Sequence, residues 1–290
     1  TTTPNGLATP APVDTDGDGD IDVVYAGDLE GNMWRFDVSN LSSPSSDILF
    51  TAKDSSNNPQ PITSAPLVTR HPNTGYMIGF ATGKYLELSD ISTTATQTIY
   101  GIWDQGSMVT NRSKLVEQTV IDTQTIGSNR FRVTSTEPVD YTSTKKGWFM
   151  DLPESGERVD LNPVIRDGRF VFVTRTPSSA PCVAGGTSWL MELDYLSGGR
   201  LDVSPFDVNG DGIINSLDYV TITINSVETQ VPVSGYQSGS GGMISTPTIL
   251  KTDTEDEELK ILSNSDGQVE AKLESVNTKY KGRVSWEEIR

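Results

Sequence analysis

Four times in this chain a small or turn residue and then a proline open an apolar stretch. The openings are Ala11-Pro12-Val13, Ala65-Pro66-Leu67-Val68, Asn162-Pro163-Val164-Ile165 and Thr246-Pro247-Thr248-Ile249. A glycine-bearing hairpin follows each. Residues 23–37 read as two short strands around a Gly/Asp/Asn turn, with Met33, Arg35 and Asp37 alternating with Trp34 and Phe36. Asp167-Gly168 joins residues 163–165 to 170–174, and Asp266-Gly267 separates residues 259–263 from 269–273. Asp-Gly is a favoured hairpin pair because both turn positions need positive φ.

The four prolines are 54, 97 and 84 residues apart. The first spacing fits one four-stranded blade with its loops. The longer two fit one blade with an insertion, or two blades with one opening degenerate. Repeated small antiparallel sheets predict an all-β fold, a β-propeller of four to five blades. Closed propellers commonly need more blades than that. Residues 1–290 are therefore expected to be the C-terminal part of a single propeller domain of about seven blades. A four- or five-bladed ring on its own and an irregular β-sandwich are the alternatives.

Composition agrees with a β-protein. Hydrophobic content is 34% and mean hydropathy −0.35, lean for a helical enzyme, while 26 glycines and 16 prolines suit frequent turns. No apolar run is long enough for a membrane-spanning helix. The first residues lack a signal-peptide pattern, though the chain reads as the end of something longer. A net charge of −17 disfavours nucleic acid and anionic membranes as partners. Residues 253–258, five acids among six residues, predict a solvated hairpin tip. The single cysteine, Cys182, excludes a C-x-x-C metal site and an internal disulfide, leaving a partner outside the chain or a plain thiol. His71, before Pro72-Asn73, is expected to be a surface imidazole. Trp34, Trp103, Trp148, Trp189 and Trp286 are expected in blade cores.

Two acidic loops carry the chemistry. Asp14-Thr-Asp16-Gly-Asp18-Gly-Asp20-Ile-Asp22 alternates five carboxylates with glycines, a segment unfit for a packed strand or helix face. Oxygen ligands at this spacing favour calcium. In an EF-hand-like register, Asp14, Asp16 and Asp18 take positions 1, 3 and 5. Asp20 offers its carbonyl at 7, and Asp22 stands at 9. Position 12 would be Tyr25, so the usual bidentate Glu is missing and the loop is expected to be weaker and more easily emptied. The second loop has Asp207, Asn209 and Asp211 at 1, 3 and 5, the Ile213 carbonyl at 7, Asn215 at 9 and Asp218 at 12. Ile214 is the apolar anchor. This set resembles the dockerin variant of the EF-hand loop, but residues 219–224 read as a strand, not an exiting helix.

Several further motifs add to these loops. They are residues 76–87 (Tyr-Met-Ile-Gly-Phe-Ala-Thr-Gly-Lys-Tyr-Leu-Glu), Tyr100-Gly-Ile-Trp-Asp104, and Gly147-Trp-Phe-Met-Asp-Leu-Pro153 with Gly156-Glu-Arg-Val159. Ser188-Trp-Leu-Met-Glu-Leu-Asp194 and residues 282–289 complete the series. Together with residues 11–37 they resemble the PilY/neisserial PilC family of type IV pilus tip proteins, in order and over nearly the whole chain. The resemblance implies a non-enzymatic C-terminal propeller domain of a larger secreted protein at the pilus tip. It implies calcium in the Asp14–Asp22 loop, with occupancy regulating pilus extension against retraction. Expected partners are pilus components such as minor pilins, and host or abiotic surfaces through adhesion and twitching. The Arg-Gly-Asp integrin motif of some members is absent; residues 166–168 hold Arg-Asp-Gly, a turn in another order.

Two other functions fit the residues less well. A quinone-dependent dehydrogenase propeller needs a central calcium and often a vicinal disulfide, which one cysteine rules out. An FG-GAP-like adhesion propeller has a calcium loop close to residues 14–27 and uses the metal as a structural staple. On the switch reading, calcium closes the first loop and orders the adjoining hairpin with Trp34 and Phe36.

Overall fold

The structure, a computed structural model, describes residues 5–180, 185–254 and 257–276. Within them helix is confined to three short 3-10 turns, Leu88–Ser92, Arg112–Lys114 and Ser216–Asp218. The rest is strand and loop.

The first sheet runs β1 (Ala11–Val13), β2 (Val23–Gly27), β3 (Asn32–Asp37) and β4 (Ser45–Thr51), antiparallel throughout. The second begins with β5 (Leu67–Arg70), β6 (Tyr76–Ala81) and β7 (Thr98–Asp104). The chain then makes β8 (Val116–Gln118), β9 (Val120–Ile126) and β10 (Asn129–Thr134), and returns as β11 (Gly147–Asp151). β11 pairs antiparallel with β7 and parallel with β8, which stay in the second sheet. The β9–β10 hairpin crosses to the third. That third sheet has β12 (Val164–Arg166), β13 (Arg169–Pro177) and β14 (Gly186–Asp194). A separate hairpin, β15 (Val220–Ile224) and β16 (Val227–Val231), precedes β17 (Gly235–Gln237), giving the order β12-β13-β14-β17-β10-β9. The fourth sheet is β18 (Thr248–Lys251), β19 (Glu257–Ser263) and β20 (Val269–Ser275).

Each proline-led opening is the first strand of a sheet and lies at its edge. Proline supplies no ladder N–H, so an edge or the residue before a strand is where it fits. The two long spacings are therefore each one blade with an insertion: β8–β10 in the first case, the second acidic loop with β15–β16 in the other. The Asp167-Gly168 turn has both residues at positive φ, +47° and +75°, as expected. The Asp266-Gly267 turn differs. Only Gly267 is positive, and the turn is a longer one closed by Asn264 N–H on the Gln268 carbonyl at 2.9 Å.

The sheets pack face to face in chain order. Phe50 from the first meets Phe80 and Tyr100 of the second, with ring centroids at 6.4 and 5.2 Å. Met77 and Trp148 of the second pack with Phe170, Phe172 and Trp189 of the third, all fully buried. Gly79, in mid-strand, has a reason there: a Cβ would lie 2.3 Å from the Phe170 ring. Phe131, Val171 and Tyr236 of the third join Leu262 of the fourth. Removing one such ring costs about 3–5 kcal/mol. Trp103, Trp148 and Trp189 are core as expected. Trp34 is half-buried, stacked on Phe36 at 6.1 Å, and Trp286 and Cys182 lie outside the described residues.

Two expectations are corrected. The acidic run at 253–258 is not wholly a solvated tip: Glu258 lies in β19, fully buried, and pairs with Arg166 at 2.7 Å. It belongs to a buried ionic seam between the third and fourth sheets. There Arg169 holds Glu192 at 2.7 Å, and Lys260 bonds Glu192 and Glu274. Burial alone would raise the Glu192 carboxyl, but Lys260 and Arg169 outweigh it and hold the pKa at about 2. His71 is not a surface imidazole. It is 6% exposed, stacked on Trp103 at 4.3 Å and edge-on to Tyr141 at 4.4 Å. Burial lowers its pKa.

Candidate metal centre

The first loop connects β1 to β2. It is closed at its base by Asp22 N–H on the Val13 carbonyl, 3.0 Å, and Val38 N–H on the Asp22 carbonyl, 2.7 Å. Asp14 is the hub. Its Oδ1 accepts from Gly17 N–H at 2.6 Å and its Oδ2 from Gly19 N–H at 2.9 Å. Both glycines have φ near the left-handed region, +86° and +98°, which lets the backbone curl around one carboxylate. Asp16 and Asp18 repeat the device one step on, accepting from Asp18 and Asp20 N–H at 3.2 and 2.9 Å. One carboxylate oxygen from each of Asp14, Asp16 and Asp18 lies within 4.8 Å of the others. Backbone donors thus stabilise three like charges held close together. The Gly17 and Gly19 amides keep the Asp14 carboxyl below the usual carboxylate range.

Asp22 has a different task from the one its place in the register implies. Its Oδ2 turns back to Thr15, accepting from the N–H at 2.7 Å and the hydroxyl at 2.5 Å, and these bonds lower its pKa. In the second loop, Asp218 at position 12 does the equivalent. It accepts from Val208 N–H at 2.8 Å, Asn209 N–H at 3.3 Å and Asn215 N–H at 2.8 Å. The short loop therefore does have a closing carboxylate, supplied three positions early.

The second loop otherwise copies the first. Asp207 accepts from Gly210 and Gly212 N–H at 2.7 and 2.9 Å. Asn209 and Asp211 accept from Asp211 and Ile213 N–H, each at 2.9 Å. Asn215 caps the short turn at Leu217 N–H, 2.7 Å, and Ile214 is half-buried as an anchor should be. The chain then enters strand β15, not a helix. The loop's root lies along the edge of the fourth sheet, where Phe206 bridges Glu274 and Ser275 N–H donates to the Pro205 carbonyl at 3.1 Å.

Of the expected donors the structure gathers the carboxylates of Asp14, Asp16 and Asp18; among the described residues Asp22 is not part of that group, and Asp207, Asp211 and Asp218 do not form one of their own. In the first loop a calcium would take Asp14, Asp16 and Asp18 with the Asp20 carbonyl, and Asp22 only through the oxygen not bonded to Thr15. In the second it would take Asp207, Asn209, Asp211, the Ile213 carbonyl, Asn215 and Asp218. All donors are oxygens, and the backbone fixes their directions before any cation arrives.

The aromatic pair next to the first loop is not anchored by it. Trp34 Nε1–H donates to Asp28 Oδ2 at 2.7 Å, at the opposite end of the β2–β3 hairpin. Asp28 also takes Asn5 Nδ2, Asn32 N–H and Nδ2, and Glu30 N–H. Burial raises its pKa, but these bonds, Trp34's foremost, leave it lowered overall. The loop's own neighbours are Arg70, whose Nη2 donates to the Thr15 carbonyl at 3.3 Å, and Asp37, beside Asp22. No sequence signal pointed to Asp28 or Arg70.

Stacked antiparallel sheets joined in chain order, with acidic loops on their connections, define the class: a β-propeller domain. Residues 1–129 match the family described as the PilY1 beta-propeller domain. A type IV pilus biogenesis factor PilY1 homolog of Xylella fastidiosa is 37% identical over 67% of this chain and 14% of its own length. The type IV pilus biogenesis factor PilY1 of Pseudomonas aeruginosa is 34% identical over 83% of this chain and 24% of its own. The solved P. aeruginosa PilY1 C-terminal domain superposes with a TM-score of 0.79 at 28% identity, over 96% of this chain and 62% of that one. The chain belongs to the PilY1 family. It spans a quarter or less of the length of these curated relatives.

Proposed function

We propose that this domain serves type IV pilus biogenesis as a non-enzymatic, calcium-regulated module at the cell surface. The pilus role rests on the relatives, which are named as type IV pilus biogenesis factors. The calcium role rests on one observation: three carboxylates, Asp14 half-buried and Asp16 and Asp18 exposed, within 4.8 Å of one another and bonded by backbone donors, at the connection of the first two strands. The first loop binds calcium reversibly and biases pilus extension against retraction, through contacts with a pilus component such as a minor pilin, with surface attachment and twitching downstream. The second loop binds calcium as a staple. Its closing carboxylate Asp218 is fully buried and its root is tied to the fourth sheet, which favours a structural role there. Across the described residues no helix is long and apolar enough to cross a membrane.

Calorimetry on chelator-treated protein tests the binding, and pilus extension in cells tests the role. Asp18→Lys is the informative variant, because Asp18 is exposed and holds only the Asp20 amide. It puts an ammonium where the cation would sit. Pili of this variant should behave as calcium-loaded, while Asp18→Ala should behave as calcium-free. Identical phenotypes would remove the charge-neutralisation account.

A further inference from the structure

Charge is unevenly spread along the chain. Residues 1–60 hold ten carboxylates and only two cations, Arg35 and Lys53, so they carry −8 of the net −17. The same region exposes apolar side chains beside three adjoining clefts. The first, about 320 Å³, is walled by Leu7, Trp34 and Phe36, with Leu7 60% exposed. Trp34 and Ser46 are shared with the second, about 490 Å³, which adds Ile48, Asp47 and Met108, the last 51% exposed. Arg35, Asp104 and Gly106 are shared with the third, about 350 Å³, whose wall includes Thr15 of the first acidic loop. A continuous path therefore leads from the Trp34 ridge to the metal loop.

This path is rigid. Trp34 is fixed by Asp28, and the β4 bulge that shapes the second cleft is locked by Val109 N–H on the Leu49 carbonyl at 2.7 Å. The cation in its walls, Arg35, is already committed to buried Asp104 at 3.3 Å, which also takes the Tyr25 hydroxyl at 2.6 Å. At the loop end Arg70 is held on the Thr15 carbonyl and Lys146 on Gln105, while Asp47 and, of the loop, Asp16, Asp18 and Asp20 stay exposed. Tryptophan and methionine around a fixed cleft are the residue types that anchor protein partners. An acidic surround selects a basic one.

We infer that the Trp34–Met108 cleft docks a basic amphipathic segment of a partner protein, and that calcium in the first loop weakens this docking. Apolar side chains of the segment fill the two clefts flanking Trp34. Its lysines or arginines face Asp47 and the carboxylates of the Asp14–Asp22 loop. A bound calcium adds two positive charges at the end of the path and lowers the attraction. By linkage the segment must weaken calcium to the same degree. The antagonism rests on the calcium reading above; the docking does not.

The probes are a labelled amphipathic Leu/Lys peptide and its Leu/Glu counterpart, titrated into the protein with chelator or with millimolar calcium. The Leu/Lys peptide should bind and the Leu/Glu peptide should not. Trp34→Ala should weaken binding roughly tenfold or more. Met108→Ala, a milder truncation at an exposed site, should weaken it by less. Equal binding of both peptides, or no loss in either variant, overturns the docking. Calcium should weaken the Leu/Lys peptide several-fold, and this effect should vanish in Asp16→Asn/Asp18→Asn. A calcium heat at the first loop with unchanged or stronger peptide binding overturns the antagonism and leaves the calcium reading standing. An absent calcium heat overturns that reading instead, and the peptide comparison alone then decides the docking.

Discussion

In both acidic loops the first aspartate accepts backbone N–H groups three and five residues ahead, and the same step from a backbone amide to a side-chain oxygen recurs at positions 3 and 5, a carboxamide at Asn209 and carboxylates elsewhere. The loops part company where they close. Asp22 closes the first at its ninth residue, on Thr15, at a half-exposed site. Asp218 closes the second at its twelfth, fully buried, on three backbone amides. The first leads straight into β2 within its own sheet. The second hangs on the edge of the fourth sheet. The comparison separates two jobs that one motif does at once. The amide lattice organises the carboxylates whatever the surroundings, while burial of the closing residue decides whether the loop is also part of the scaffold.

The largest effect should come from breaking the scaffold role. Asp218→Ala leaves the buried Val208 amide and the partly buried Asn209 and Asn215 amides without an acceptor and should destabilise the domain by about 2–3 kcal/mol. Asp22→Ala opens a solvated site and should lower the melting temperature far less. Denaturant melts without calcium compare them directly. Equal losses would erase the distinction.

Calcium removal comes next. A ligand at a hundred times its Kd stabilises by about 2.7 kcal/mol. Chelation should therefore lower the melting temperature through the second loop chiefly. Asp207→Asn should remove most of that shift, and Asp16→Asn/Asp18→Asn little of it. The reverse ranking would exchange the two roles.

The smallest effects are those of pH. The Gly17 and Gly19 amides favour the ionised form of Asp14 and hold its carboxyl below the usual carboxylate range. A depressed carboxyl contributes stability above the unfolded value and loses it as pH falls, so calcium binding should be flat from neutral to mildly acid pH. His71 is a separate titrating group, packed on Trp103 and Tyr141. Its folded pKa lies below the unfolded 6.5, so its contribution is present above that value and lost as pH falls. As the single histidine in the chain, it gives an unambiguous NMR titration. His71→Phe should flatten stability between neutral pH and pH about 5.5.

Much of this was legible in the chain. Pro12, Pro66, Pro163 and Pro247 marked the first strand of each of the four larger described sheets, the β15–β16 hairpin having none, because a residue without an N–H has few places in a ladder. The loop registers stood out because carboxylates and glycines alternate at fixed spacing. What was hidden depends on contacts far apart in sequence. Glu258 looked like part of a solvated run, yet it is neutralised by Arg166, 92 residues away. His71 looked like a turn residue until Trp103 and Tyr141 covered it. The missing twelfth ligand looked like a defect because position alone does not show that Asp22 folds back onto Thr15.

The central claim is that the two loops bind calcium independently and unequally. Calorimetric titration of the chelator-treated domain, with and without Asp16→Asn/Asp18→Asn, tests it most directly. Two binding events are predicted, with the weaker one lost in the variant and the tighter one unchanged. A single event, or loss of the tighter event in that variant, would contradict the account.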